Sequence, residues 1–192
     1  MDEHTPADAP SVILSESDPE VIRMLFETYQ DRVYSIALVF FKGNPETAKD
    51  VTQQVFMKLI ARIGQFESRA DFSTWLYRIV TNTCLAQHRA LKRWVLFGSP
   101  SDAEKVTVSR SQSVEDEYSQ LEISRVVQSA IQELKPKFRI VILLKYFDDL
   151  SYEELSAVLQ VSMGTVASRL NRGHMMLARK LAHLRGALGS EV

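Results

Sequence analysis

Apolar residues recur at every third or fourth position along most of the chain, which is the spacing of one buried helix face. The first such segment begins at Pro19 and runs to about residue 40. Asn44 followed by Pro45 predicts the cap and first turn of a second helix, which Gly64 ends. A third segment follows Asp71, a predicted N-cap, and continues into a basic stretch. The N-terminal half therefore predicts three helices.

The second of these helices has two distinct faces. Its apolar stripe, which we expect to be buried, consists of Val51, Val55, Phe56, Leu59, Ile60 and Ile63. Polar residues at spacings of three and four share the opposite face, namely Asp50, Gln53, Gln54 and Lys58. A polar face of this kind is either only solvated or a docking surface for a partner.

The helical pattern is interrupted between about residues 96 and 114, where serine, glycine and proline are concentrated. It returns at 115–134, and Pro136 then begins a strongly apolar helix. Residues 140–144, IVILL, would suit a buried strand by composition, but the sequence offers no second strand for it to pair with. The predicted fold is all-α, with two small helical domains joined by a flexible linker.

Residues 151–172, SYEELSAVLQVSMGTVASRLNR, have the pattern of a helix-turn-helix. Ser151 and Glu154 form a capping box, Val161 is an apolar plug in the turn, and Ser162 caps the second helix. The second helix should bury Val166 and its neighbour one turn later. Its outer face exposes residue types that contact bases and phosphates, namely Thr165, Ser168, Arg169, Asn171 and Arg172. The alternative is an ordinary helical hairpin with a polar face.

The formal net charge of −1 conceals an uneven distribution of charge. Residues 1–20 contain six acidic residues and no basic one, and residues 101–122 contain six acidic residues against two basic ones. Residues 77–94 and 164–190 contain four and five basic residues respectively, and no acidic one. The two basic blocks are either solvated helix faces or two surfaces for a polyanion such as nucleic acid. Aromatic residues within the first block would suit base stacking, although Trp75 shares the core stripe of its helix.

Several classes of protein are disfavoured by the sequence. The chain has one cysteine, Cys84, so no intrachain disulfide can form, which suits a reducing cytoplasm. Cys84 is expected to be a buried small hydrophobe rather than a redox sensor. The sequence shows no secretory signal and no apolar run of about 20 residues, so no membrane insertion is expected. Four scattered histidines and the absence of a glycine-rich phosphate loop predict no metal, no cofactor and no enzymatic activity.

Three stretches in the order AKDVTQQVFMKLI, FSTWLYRIVTNT and LSYEELSAVLQVSMGTVASRLNR resemble the bacterial extracytoplasmic-function (ECF) sigma factors. These are minimal sigma-70-type initiation factors of RNA polymerase. The resemblance covers about residues 20–94 and 118–186. It implies sigma region 2 at 19–95, a linker at 96–115 and the region 4 helix-turn-helix at 116–188. The acids, prolines and small residues of 1–18 themselves predict an acidic flexible tail. The linker then matches the segment threaded through the polymerase.

The resemblance also implies roles for individual residues. Those facing the −10 promoter element, including a loop that captures a flipped base, are Glu67, Ser68, Arg69, Arg78, Asn82, Arg89, Lys92 and Arg93. Those facing the −35 element are Ser162, Thr165, Ser168, Arg169, Asn171 and Arg172. Those on the helix that docks on core polymerase are Asp50, Gln53, Gln54, Phe56 and Lys58, with Phe56 as packing. The implied partners are core polymerase (β′ coiled coil and β flap), promoter DNA and an anti-sigma factor.

The sequence departs from the family pattern at several positions. Ala86 stands where the family often has aspartate, Ala167 where a basic residue is common, and Gln160 where a turn glycine is common. Gln160 is therefore expected to hold a positive φ at some cost. Weaker phosphate clamping and an unusual promoter sequence follow from the thinned basic runs after Asn82 and Arg172.

A second functional hypothesis stays open at this point. A conventional helix-turn-helix repressor or activator would use residues 20–94 as a sensing or dimerisation domain. Such a protein would bind duplex DNA on its own, as a dimer on a palindrome. A sigma factor of this kind should bind promoters poorly without core polymerase.

Overall fold

A computed structural model describes residues 19–66, 71–97 and 115–182. All regular structure within these ranges is helical, which confirms the predicted all-α class. The elements are α1 (Pro19–Phe40), α2 (Pro45–Arg62), a 3-10 turn (Ile63–Gln65), α3 (Phe72–Phe97), α4 (Glu115–Gln132), α5 (Pro136–Phe147), α6 (Tyr152–Leu159) and α7 (Met163–Lys180). The predicted acidic tail at 1–18 and most of the predicted linker at 96–115 lie outside the described residues.

Local signals in the sequence set the first helix boundaries. After α1 the chain turns through Lys42 and Gly43, whose φ values are 62° and 77°. The Asn44 side chain accepts a hydrogen bond from the Thr47 amide at 2.9 Å, and Pro45 occupies the first turn of α2, as predicted. The structure ends α2 at Arg62, two residues before Gly64, because a 3-10 turn replaces the last predicted α-helical turn.

The two halves share one continuous apolar core. Buried side chains of α1, α2 and α3 join those of α5, α6 and α7 in a single cluster. Helix α5 packs against α1, and α6 packs against α3, so the predicted domains lie in direct contact. The sequence alone could not show whether the halves pack together.

Helix α5 lies at the centre of this arrangement. Residues 140–144 are all buried, and they form a helix rather than the strand that their composition would also suit. A helix that is apolar on all sides must be enclosed by neighbours. Here those neighbours are α1, α3, α6 and α7. Gly173 of α7 allows one of these approaches, because an added Cβ would lie 3.1 Å from Cγ1 of Ile142.

A buried guanidinium joins the two halves. Arg139 of α5 is only 4% exposed and donates to the carbonyl oxygens of Phe40, Ile131, Gln132 and Leu134. Its central carbon also lies 5.4 Å from the centre of the Phe40 ring. No hydrogen bond or ion pair described for Arg139 involves a carboxylate, and burial lowers its pKa from the ordinary value. Arg139 thus ties the end of α1 to the turn between α4 and α5.

Replacing Arg139 with methionine tests this junction, because it keeps the side-chain length but removes every donor. We expect the free energy of unfolding, measured by urea denaturation, to fall by about 2–4 kcal/mol as buried carbonyls lose their partner. Lys135→Ala, which removes an exposed base near the start of the same helix, should change it by less than about 0.5 kcal/mol. An equal effect of the two substitutions would contradict the assigned role.

Candidate nucleic-acid interface

The predicted helix-turn-helix is present in α6 and α7. Ser151 accepts a hydrogen bond from the Glu154 amide at 3.1 Å, and the Glu154 carboxylate accepts one from the Ser151 amide at 2.6 Å. This completes the capping box at the start of α6. At the start of α7, the Ser162 hydroxyl accepts a hydrogen bond from the Thr165 amide at 3.3 Å. Both predicted caps are therefore confirmed.

The turn between the two helices is tight. Gln160 has φ 52° and ψ 46°, so it holds the left-handed conformation that the sequence predicts for this position. The Val161 amide donates to the Ser156 carbonyl at 3.2 Å, and the Ser156 hydroxyl donates back to the Val161 carbonyl at 2.6 Å. Val161 packs against the core as the expected apolar plug. These contacts fix the direction in which α7 leaves the turn.

Helix α7 presents its predicted DNA-facing residues outward. Val166 and Leu170 are buried, as predicted. Ser162, Ser168, Asn171 and Arg172 are exposed, while Thr165 and Arg169 are half-buried. All but Asn171 line a single surface cleft of about 370 Å³.

The same cleft contains a basic residue that the sequence analysis missed. Lys137, in the first turn of α5, lines the cleft together with Arg169 and Arg172 of α7, and none of the described residues that line it is acidic. Three basic side chains and three hydroxyls around one cleft suit a phosphate backbone. The signal in the sequence was a lysine beside Pro136, but nothing local showed that α5 begins next to α7.

The residues of α3 that are predicted to face the −10 element differ in exposure, because α6 packs against one end of their surface. Positions 78, 82, 89, 92 and 93 lie on one side of the helix by their spacing. Asn82, Arg89, Lys92 and Arg93 are exposed, and so is Trp94 at 68%. Arg78 instead turns toward α6, where its terminal nitrogen donates to the Ala157 carbonyl at 3.0 Å. Glu67, Ser68 and Arg69 lie outside the described residues.

A buried carboxylate lies beside this contact. Asp148, which follows α5, has a side chain with no exposed surface. One carboxylate oxygen accepts hydrogen bonds from Arg32 of α1 and from the Tyr77 hydroxyl of α3, the latter at 2.8 Å. Burial raises the pKa of Asp148 above its ordinary value, although Arg32 and Tyr77 oppose the shift. Burial likewise raises the pKa of Tyr77.

Helix α2 presents part of the predicted docking face. Asp50 and Gln53 are exposed and Gln54 is half-buried. Phe56 is 6% exposed and packs edge-on against Phe26, with ring centres 4.8 Å apart, so it serves as packing. Lys58 turns toward α3, where its ammonium donates to the Thr83 hydroxyl at 3.0 Å.

The apolar stripe of α2 is not entirely internal. Ile60, predicted to be buried, is 47% exposed, because its spacing of three and seven from Met57 and Gln53 places it on the exposed side of α2. Met57 is 62% exposed. Both are apolar side chains near the polar docking residues.

Trp75 of α3, which shares the predicted core stripe of its helix, is half-buried and packs against Phe66, with ring centres 5.4 Å apart.

The described residues contain no reactive thiol or metal-binding cluster outside these surfaces. Cys84 is fully buried, and burial raises the pKa of its thiol to about 12, as expected for an inert core residue. Among the described residues, no group of three or more metal-binding side chains comes together. No helix in those ranges has the length and apolar character needed to cross a membrane.

Comparisons with known proteins match both halves. The family model for Sigma-70 region 2 matches residues 25–94, and that for Sigma-70 region 4 matches residues 124–177. The ECF RNA polymerase sigma factor SigW of Bacillus subtilis (strain 168) is 33% identical over 178 residues, which covers 89% of this chain and 94% of SigW. SigE of Mycolicibacterium smegmatis, also an ECF RNA polymerase sigma factor, is 34% identical over 158 residues, covering 82% of this chain and 60% of SigE.

Two solved structures share the fold. One is the sigma factor RpoE in complex with the anti-sigma factor NepR from Bartonella quintana, with a TM-score of 0.67, 23% identity and coverage of 83% of this chain and 96% of RpoE. The other is CnrH in complex with the cytosolic domain of CnrY, with a TM-score of 0.61, 24% identity and coverage of 85% and 89% of the two chains.

Proposed function

The chain belongs to the extracytoplasmic-function family of RNA polymerase sigma factors, and we propose that its two basic surfaces hold the −35 and −10 elements of a promoter. A sigma factor directs core polymerase to promoters and helps to melt the −10 element. The observation that supports the proposal most strongly is the complete helix-turn-helix of α6 and α7, which follows a region 2 match in the same chain. That match identifies as a sigma region the residues that a conventional repressor would use as its sensing or dimerisation domain.

The −35 element is assigned to the outer face of α7. A helix of this kind enters the major groove, where arginine recognises guanine and asparagine recognises adenine through paired hydrogen bonds. Arg169, Asn171 and Arg172 supply these types, and the hydroxyls of Ser162, Thr165 and Ser168 suit phosphates. Lys137 of α5 adds a further positive charge to the lining of the same cleft. We assign Lys137 to a backbone phosphate.

The −10 element is assigned to the exposed side of α3. Asn82 suits a base edge of the melted strand, and Arg89, Lys92 and Arg93 provide charge for the phosphates that follow it. The loop with Glu67, Ser68 and Arg69 is assigned to the capture of a flipped base. Arg78 joins this surface only when its contact with Ala157 is broken.

Core polymerase is assigned to the exposed face of α2. Asp50, Gln53 and Gln54 offer polar contacts to the β′ coiled coil, and the exposed Met57 and Ile60 add apolar area beside them. Phe56 is buried and stabilises α2 through its contact with Phe26 of α1. The hydrogen bond of Lys58 to Thr83 gives it a role in positioning α2 against α3. The C-terminal half is assigned to the β flap.

The remaining assignments follow from this role. The chain itself is not an enzyme in this proposal, because RNA synthesis is carried out by the polymerase. It acts in the cytoplasm, where core polymerase and promoter DNA are located. An anti-sigma factor is proposed as a further partner, since the sigma factor RpoE, which shares this fold, was solved in complex with the anti-sigma factor NepR.

Alanine at Asn82 and at Arg169 tests the two DNA surfaces. In a reconstituted holoenzyme, Arg169→Ala should reduce discrimination at one −35 base pair by about 1–3 kcal/mol, and Asn82→Ala should reduce open-complex formation. Arg179→Ala is the matched control, because Arg179 is exposed on α7 but lies outside the cleft. Run-off transcription from promoters mutated at single positions measures both effects. Unchanged initiation with both variants would contradict the assignments.

Lys137→Ala tests the phosphate contact separately. We expect weaker holoenzyme binding by a similar factor at every promoter, with the slope of log affinity against log salt shallower by about one unit. Lys135→Ala is the control, because Lys135 is exposed two residues earlier but does not line the cleft. An equal salt slope for Lys137→Ala and Lys135→Ala would remove Lys137 from the interface.

A further inference from the structure

Helix α7 has two exposed sides that differ in chemistry. One side lines the cleft with hydroxyl groups and with the guanidinium groups of Arg169 and Arg172. The other side carries Met163, Ala167 and Asn171, which follow one another at intervals of four residues and therefore share one side of the helix. All three are exposed, none of them lines the cleft and none is charged. We refer to these three residues as the uncharged strip of α7.

Met163 lies at the N-terminal end of this strip. It is the first residue of α7, directly after the Ser162 cap, and its side chain is 51% exposed. The second helix of a helix-turn-helix uses its N-terminal residues to reach base edges in the major groove. The apolar group that bases present in that groove is the C5-methyl of thymine, and a flexible thioether chain can adapt its shape to it. Met163 therefore suits a thymine methyl group, whereas it has no donor for a phosphate.

The rest of the strip is compatible with the same contact. Ala167, one turn after Met163, keeps the surface beside it apolar and adds a methyl group of its own, which is another side chain that contacts thymine methyl groups. A long basic side chain at position 167 would instead bring a charge next to the thioether. Asn171, one turn further along, is uncharged as well and is exposed. The strip thus offers bases an apolar start and leaves the charged contacts to the cleft side of α7.

Gly164, beside Met163, leaves room for a close approach to the first turn of α7. It does not adopt a positive φ, and the nearest atom that an added Cβ would meet outside its chain neighbours and helix backbone is Oγ of Ser162, at 4.0 Å. The fold therefore does not require a glycine here, in contrast to Gly173, where an added Cβ would lie 3.1 Å from Cγ1 of Ile142. Alanine would also favour the helix. The space beside Gly164 is open to an atom from outside the molecule.

We propose that Met163 recognises the methyl group of a thymine in the −35 element, with Ala167 keeping the adjoining surface apolar and Gly164 allowing the close approach that this contact needs. The inference rests on the proposed function. It adds a base type and a side chain that the sequence analysis did not assign to DNA. It requires a thymine, on either strand, next to the start of α7.

Removing the methyl group from the DNA tests this contact without changing the protein. In a promoter found by chain-dependent run-off transcription, each thymidine of the −35 element, on either strand, is replaced in turn by deoxyuridine, which lacks only that methyl group. Binding of the reconstituted holoenzyme should weaken by about fourfold for at least one replacement, as expected when one methyl group loses its apolar contact. A −35 element without thymine, or one in which no replacement weakens binding, would overturn the proposal.

Substitutions in the protein identify the side chain that makes the contact. With Met163→Ala, the deoxyuridine replacement should change binding by less than about twofold, because the methyl group then has no partner to lose. Met175→Ala is the matched control, since Met175 is 60% exposed on the same helix but lies beyond Arg172, far from the N-terminal turn. This control should keep the full deoxyuridine effect. An effect of the same size in Met163→Ala and in the wild type would overturn the proposal.

Gly164→Ala separates DNA binding from folding. Its melting temperature, followed by circular dichroism, should be no lower than that of the wild type, since alanine favours a helix. It should nevertheless bind the promoter more weakly, because the added methyl group keeps the DNA at a distance. Wild-type affinity in this variant would overturn the close approach on which the contact depends.

The outcome also distinguishes this inference from the proposed function. Binding of the wild-type holoenzyme that does not depend on any position of a −35 element would contradict the proposed function itself. Binding that does depend on the −35 element, but that deoxyuridine leaves unchanged, would overturn only the thymine contact of Met163.

Discussion

The contact between Arg139 and the end of α1 is the interaction on which the arrangement of the two halves depends. A guanidinium buried without a carboxylate is costly unless its donors are satisfied, and in this chain backbone carbonyls satisfy them. These carbonyls belong to α1 in one half, and to the end of α4 and the α4–α5 turn in the other. The Arg139 guanidinium therefore holds both halves against α5 through hydrogen bonds. The apolar side chains of α5 then join the core that the two halves share.

This central helix gives the two basic surfaces different accessibility. The cleft between α5 and α7 lies open on the outside of the molecule, with Lys137 and Arg172 exposed. On α3, Asn82 and the later basic residues are exposed, but Arg78 is engaged by α6. In the proposed function, Arg78 must therefore leave Ala157 before it can join the −10 surface, whereas the proposed −35 residues need no such change.

The sequence predicted the parts of the structure that depend on neighbouring residues. The Asn44 cap, the capping box of Ser151 and Glu154, and the positive φ of Gln160 all involve residues within a few positions of one another. The buried positions of α7 followed from the same local periodicity. The six residues predicted to face the −35 element all lie on α7 or at its N-cap. Helical spacing alone was therefore enough to predict that they share one surface.

Long-range packing produced the features that sequence reasoning missed. Arg139 contacts Phe40 across 99 positions, and Arg78 contacts Ala157 across 79. Lys137 joins the α7 cleft because α5 and α7 meet, and Ile60 is exposed because no described helix covers its side of α2. Lys58 was placed with its polar neighbours by spacing, but the approach of α3 turns it toward Thr83. None of these contacts has a local signature in the sequence.

The most direct test of this account is run-off transcription with purified chain, bacterial core polymerase and fragments of the host genome. The account predicts discrete transcription starts that depend on the chain and that share −10 and −35 motifs at a fixed spacing. Absence of such starts, together with tight binding of duplex DNA by the chain alone, would contradict its assignment as an initiation factor.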